Sequence, residues 1–131
     1  MHSVHWPALV TLGIAVLLFV NAANVGRQRG RYRIDAPHTS GHPMLERAFR
    51  VQMNTIENTV LMLPVMWLFA LYLSGVWAAV LGALWLAARI WYGIVYMQEP
   101  KCRGPAFGTS MLLIAAMMLG ALWGVGRVLL G

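Results

Sequence analysis

Cysteine and acid are what this chain has least of. Cys102 is its single cysteine, so there is no internal disulfide, no paired-thiol redox motif and no cysteine-based zinc site. Its four histidines, His2, His5, His38 and His42, have no metal-ligand spacing, and no metal is expected. Only four residues are Asp or Glu, and charged residues make up 11% of the chain, less than half of the roughly 25% of a soluble domain. No Lys or Arg precedes Arg27, which argues against a secretory signal peptide cleaved after Val20-Asn21-Ala22.

Apolar residues occupy the remaining positions: 60% of the 131 residues, against about 45–50% in a soluble domain even with glycine counted. They fall in blocks with the charges between them, the pattern of an integral membrane protein. At about 20 residues per span, four spans use roughly 80 residues and leave no room for a separate soluble domain. The expectation is a single all-α domain over residues 1–131, an up-down four-transmembrane-helix bundle with spans near 6–25, 44–73, 76–97 and 105–130.

The net charge of +6 resembles a nucleic-acid signal until the positions are read. Arg27, Arg29, Arg31 and Arg33 lie between the first two spans, and Lys101 and Arg103 between the last two, whereas Ser74-Gly75 joins the middle pair with no charge nearby. Basic residues in alternate connections are a topology signal, so no nucleic-acid partner is expected. The positive-inside rule puts both long connections in the cytoplasm and both termini outside. Composition leaves the host membrane open between a bacterial inner membrane and the endoplasmic reticulum.

Charges within reach of hydrocarbon are costly, about 2.5–3.5 kcal/mol each on insertion scales, and are read first as functional. The second span carries Arg47, Arg50, Asn54 and Glu57 at helical spacing, on one face. The third carries Arg89, Tyr92 and Tyr96, again on one face, and Arg103 precedes the fourth. At 1.5 Å per residue, Glu57 lies about 10 Å along its helix from Arg50, inside the interface. Each group has a plainer reading: Arg47 and Arg50 snorkelling to headgroups, Tyr92 and Tyr96 as belt aromatics, Glu57 and Arg89 as an interhelical ion pair. Trp67, Trp77, Trp85 and Trp123 read as packing or belt residues, and Met111, Met117 and Met118 as core or lipid-facing filler. Chance seldom aligns so many polar side chains on two facing stripes. Cations there outnumber the single carboxylate, and a bundle that gathers excess positive charge is built to receive an anion.

The stretch from Glu46 to Glu57, ERAFRVQMNTIE, closely resembles the second-helix motif of the MAPEG family, membrane-associated proteins in eicosanoid and glutathione metabolism. Arg89-Ile90-Trp91-Tyr92-Gly93-Ile94-Val95-Tyr96 is similar to the family's arginine and two-tyrosine run on helix three. The resemblance implies a homotrimer that binds glutathione as co-substrate between neighbouring subunits. Carried over by position, Arg50, Asn54, Glu57, Tyr92 and Tyr96 would hold the tripeptide, with Gln52 and an arginine of the first loop, Arg31, contributed by the adjacent subunit; Arg47 and Arg89 join the expected glutathione site by their place on the same polar faces. Arg103 falls where the leukotriene C4 synthase-like members carry the arginine that faces the thiol, and it is the expected catalytic residue. The second substrate would be a hydrophobic, lipid-like or xenobiotic electrophile entering from the membrane.

A non-catalytic, lipid-binding branch of the family, that of the five-lipoxygenase-activating protein, is the alternative. Arg50, Glu57 and Arg103 favour the enzyme branch, since the lipid-binding branch lacks the two arginines and replaces the glutamate with aspartate. Asn58 stands where the leukotriene C4 synthase group often has tyrosine, which points to a general glutathione transferase or peroxidase. A third class, a small four-span transporter with Glu57 as its proton-coupled carboxylate, is opposed by the crowd of arginines.

Overall fold

The computed structural model describes residues 3–131; His2, one of the histidines considered above, lies outside them. Four long helices alternate in direction: α1 (His5–Tyr32), α2 (Pro43–Tyr72), α3 (Gly75–Gln98) and α4 (Gly104–Leu130), with a 3-10 turn at Pro100–Cys102. All four are long and apolar enough to cross a membrane. Leu12, Phe19, Val60, Leu112, Leu119 and Leu129 point outward, as suits a molecule whose solvent is lipid.

The sequence places helix starts well. His42 sits before Pro43 at the first position of α2, and its Nδ1 accepts from the Met44 N–H at 3.1 Å. The Ser74 hydroxyl accepts from the Trp77 N–H at 3.2 Å and starts α3. The short α2–α3 turn also depends on Gly75, where a Cβ would run into the Ser3 carbonyl.

One boundary differs from the expectation. The first helix does not stop near residue 25 but continues to Tyr32, so Arg27, Arg29 and Arg31 lie on its last turns instead of in a loop. No proline interrupts this stretch, arginine is a good helix former, and basic groups near a C-terminus complement the helix dipole. The helix ends at Arg33, in the left-handed region (φ 55°, ψ 48°), where the backbone N–H groups of Arg33 and Ile34 close onto the Arg29 carbonyl.

The main core cluster joins all four helices: Ile14 of α1, flanked by Val10 and Leu18, packs with Met62, Met66, Phe69, Trp85, Ile114, Met117 and small alanines. Met117 is core, whereas Met118 faces outward. In lipid, helix association depends on close packing and on hydrogen bonds between helices, each worth about 0.6–2 kcal/mol. Trp67 supplies one such bond, its Nε1 donating to Thr11 Oγ1 at 3.1 Å, α2 to α1. Trp85 supplies another, its Nε1 donating to Asn58 Oδ1 at 2.7 Å, α3 to α2. Asn58 in turn donates to the Met111 sulfur at 3.2 Å, which brings in α4. Asn58 therefore clasps three helices.

Candidate functional site

At the basic end of the bundle, α2, α3 and the start of α4 enclose a pocket of about 470 Å³. Arg50, Met53, Asn54 and Glu57 come from α2, Tyr92 and Tyr96 from α3, Lys101 and Arg103 from the turn region, and Phe107 from α4. Helical spacing accounts for the α2 and α3 members, which recur every three or four residues on the faces turned toward each other. Tyr92 anchors the back wall: it is buried, with its ring centroid 5.6 Å from Tyr96 and 6.4 Å from Phe107. The Arg103 guanidinium carbon lies 5.7 Å from the Tyr96 ring centroid, and its Nη1 donates to the Pro100 carbonyl at 3.3 Å. Three cations and one carboxylate line the pocket, so its wall is net positive.

Arg89 lies behind the pocket, not in it. It is 1% exposed. Its Nη2 donates to Asn54 Oδ1 at 2.8 Å and Thr55 Oγ1 at 2.9 Å, and its Nη1 to Ser110 Oγ at 3.3 Å. Its guanidinium carbon stands 4.0 Å from the centroid of the Tyr92 ring. Glu57 is not among these partners. The interhelical link is made through amide, hydroxyls and ring instead of an ion pair, and it fixes the two pocket residues Asn54 and Tyr92. Ser110 is itself held, its hydroxyl donating to the Phe107 carbonyl at 2.7 Å.

Three further residues singled out from the sequence do not line the pocket. Arg47 turns to the end of α3, its Nη1 donating to the carbonyls of Met97 at 2.9 Å and Gln98 at 3.3 Å, a cation at a helix C-terminus. Gln52 lies on α2, partly buried and outside the pocket. Arg31 is exposed at the end of α1, with its guanidinium carbon 5.6 Å from the Tyr32 ring. Tyr32 stacks on His42 at 3.5 Å between centroids, tying the end of α1 to the start of α2.

Sequence reasoning missed Thr55 and Ser110 as partners of Arg89, and Met53, Lys101 and Phe107 as pocket walls. A signal existed for one of them. Met53 is one turn from both Arg50 and Glu57 on the same face. For Lys101 there was none, because the 3-10 turn that brings this exposed residue to the pocket wall has no periodicity to read.

Comparison with known proteins bears on the same chain. The MAPEG family model matches residues 7–123. An uncharacterized protein of Synechocystis sp. is 43% identical over 122 residues, covering 90% of this chain and 89% of that protein. Microsomal glutathione S-transferase 2 of Bos taurus is 33% identical over 101 residues, 76% of this chain and 69% of the relative. Leukotriene C4 synthase of Cavia porcellus is 32% identical over 119 residues, 88% and 79%. Two of these relatives are named for a glutathione S-transferase and a leukotriene C4 synthase, and the helices here are apolar enough to span a bilayer four times. With nearly its whole length matched, this integral membrane chain belongs to the MAPEG family.

Proposed function

We propose that this protein is a membrane-bound glutathione transferase that binds glutathione in the pocket at its basic end and directs the thiolate at a hydrophobic electrophile. The arrangement of charge in that pocket carries the reading. Glu57 offers a carboxylate for the γ-glutamyl ammonium, while Arg50 and Arg103 offer guanidiniums to anionic groups. Asn54, Tyr92 and Tyr96 supply neutral polar contacts, two of them steadied by Arg89. Relatives named microsomal glutathione S-transferase 2 support the same chemistry.

Arg103 is the proposed catalytic residue. A thiol of pKa about 8.5 is mostly protonated at neutral pH, and a fixed guanidinium beside it favours the thiolate, which is the nucleophile. The Tyr96 ring and the Pro100 carbonyl limit how far Arg103 can swing, so its charge is positioned before the ligand arrives. The thiol proton leaves through the open basic end, which the positive-inside rule assigns to the cytoplasm. The sulfur then forms its bond to carbon as the electrophile's leaving group departs. The same thiolate would serve a peroxidase acting on a lipid hydroperoxide. A homotrimer, in which a neighbour adds Arg31 and Gln52 to each pocket, completes the proposal.

The test is conjugation of glutathione to 1-chloro-2,4-dinitrobenzene by the purified protein in detergent, with and without Arg103→Ala. Loss of the guanidinium should lower kcat by about 10²-fold or more, the scale of one removed transition-state donor. Full activity in the variant would refute the thiolate role, and no glutathione binding by calorimetry would refute the reading as a whole.

A further inference from the structure

Lys101 lines the same pocket as Arg50 and Arg103 but arrives by a different route. It sits in the middle of the Pro100–Cys102 turn, whose proline occupies the first position with its φ preset by the ring. The turn is closed by the Cys102 N–H donating to the Glu99 carbonyl at 3.0 Å and the Arg103 N–H donating to the Pro100 carbonyl at 3.3 Å. Residues 101 and 103 both reach the pocket wall, while Cys102 between them faces out and lines none of it.

Charge and position together give Lys101 a use. Glutathione at neutral pH carries two carboxylates and one ammonium, and its thiolate adds a further negative charge. The pocket wall carries three positive groups and one negative. Within one chain, that surplus balances the thiolate form of the tripeptide only if Lys101 is counted; the Arg31 that a neighbour would bring in a trimer comes on top of it. Glu57 lies about 10 Å farther along α2 than Arg50, away from the basic end, whereas Lys101 stands beyond the last residue of α3. The two mark opposite ends of the pocket, as the ammonium and the glycyl carboxylate mark opposite ends of the tripeptide.

We infer that Lys101 is a further ligand-binding residue of this pocket, its ammonium pairing with the glycyl carboxylate, an inference that rests on the glutathione reading above. Arg103 is left to the sulfur and Arg50 to the γ-glutamyl carboxylate. The pairing accounts for a cation at a position that neither helix periodicity nor packing requires.

Calorimetric titration of the full chain in detergent tests it, using glutathione and its glycyl monoethyl ester against wild type, Lys101→Met and Lys101→Arg. Lys101→Met should weaken glutathione by about threefold to tenfold, between the effect of an exposed ion pair and that of a partly desolvated charged hydrogen bond. The ester should bind wild type and Lys101→Met alike, and Lys101→Arg should stay within about twofold of wild type because it keeps the charge. Equal weakening of acid and ester would overturn the assignment, because a structural effect does not distinguish the two ligands. Unchanged glutathione binding in Lys101→Met would overturn it too, leaving the glutathione reading intact. Absence of glutathione binding to wild type would bring down both.

Discussion

Arg89 donates to the Asn54 side-chain oxygen at 2.8 Å, and this bond couples the buried centre of the bundle to the wall of the pocket. The same guanidinium reaches Thr55 on α2 and Ser110 on α4 while standing over the Tyr92 ring. One side chain on α3 thereby fixes the relative height of three helices. The fork geometry of arginine is what allows it, since two amino groups point in different directions from one rigid plane.

Arg89→Lys keeps the charge and removes the fork. One ammonium cannot reach Asn54 and Thr55 on one side and Ser110 on the other. The variant should lose about 1–3 kcal/mol, the cost of a buried polar group left without its partner, and melt several degrees lower in detergent. Its glutathione affinity should fall as well, because Asn54 and Tyr92 lose their support. An unchanged melting temperature and affinity would show that charge alone matters at this position.

Asn58 separates stability from ligand binding. It accepts from Trp85 at 2.7 Å and donates to the Met111 sulfur, and it does not line the pocket. Asn58→Leu should cost about 1–3 kcal/mol by stranding the Trp85 N–H, read as a lower melting temperature and an altered tryptophan emission. KM for glutathione should remain within about twofold, since the stranded group is a packing contact. A large KM change with intact stability would contradict this division of labour.

Periodicity carried most of this architecture. The four spans were legible because a bilayer demands long apolar runs, and the facing stripes on α2 and α3 because helices repeat every three to four residues. The end of α1 was not, since polar, arginine-rich turns beyond the membrane look like a loop to any argument from hydropathy. Direction within a stripe was also hidden. Arg47, Arg50, Asn54 and Glu57 share a face by spacing, yet long side chains choose partners, and Arg47 chose the α3 carbonyls. The Glu57–Arg89 ion pair considered from sequence gave way to hydroxyl and amide partners that lay closer on the adjoining turns.

Arg47 and Arg50 therefore should behave differently despite being one turn apart. Arg47→Ala removes a cation from the end of α3 and should cost about 0.3–1 kcal/mol of stability, with KM for glutathione little changed. Arg50→Ala removes a pocket cation and should raise KM by about tenfold or more with little change in melting temperature, as expected for a charged hydrogen bond worth about 1.5–3 kcal/mol. Michaelis kinetics and thermal melts on the two variants side by side decide it; a tenfold KM change in Arg47→Ala would return that residue to the pocket.

The proposed trimer can be tested through the residues that a single chain leaves outside its own pocket. Arg31 is exposed at the end of α1 and Gln52 lies off the pocket face, so neither reaches the ligand space of its own chain. If a neighbour supplies Arg31, then Arg31→Ala and Arg103→Ala damage opposite halves of a shared site. Each variant alone should be nearly inactive. Co-expressed in equal amounts, they should regain about a quarter of wild-type activity, because in a closed ring that fraction of interfaces pairs an intact Arg103 with an intact Arg31. Mixing the purified variants after assembly should restore nothing unless subunits exchange, which gives the control. No recovery on co-expression, with both variants folded and assembled, would rule out a site shared between subunits and require Arg31 to act, if at all, within its own chain.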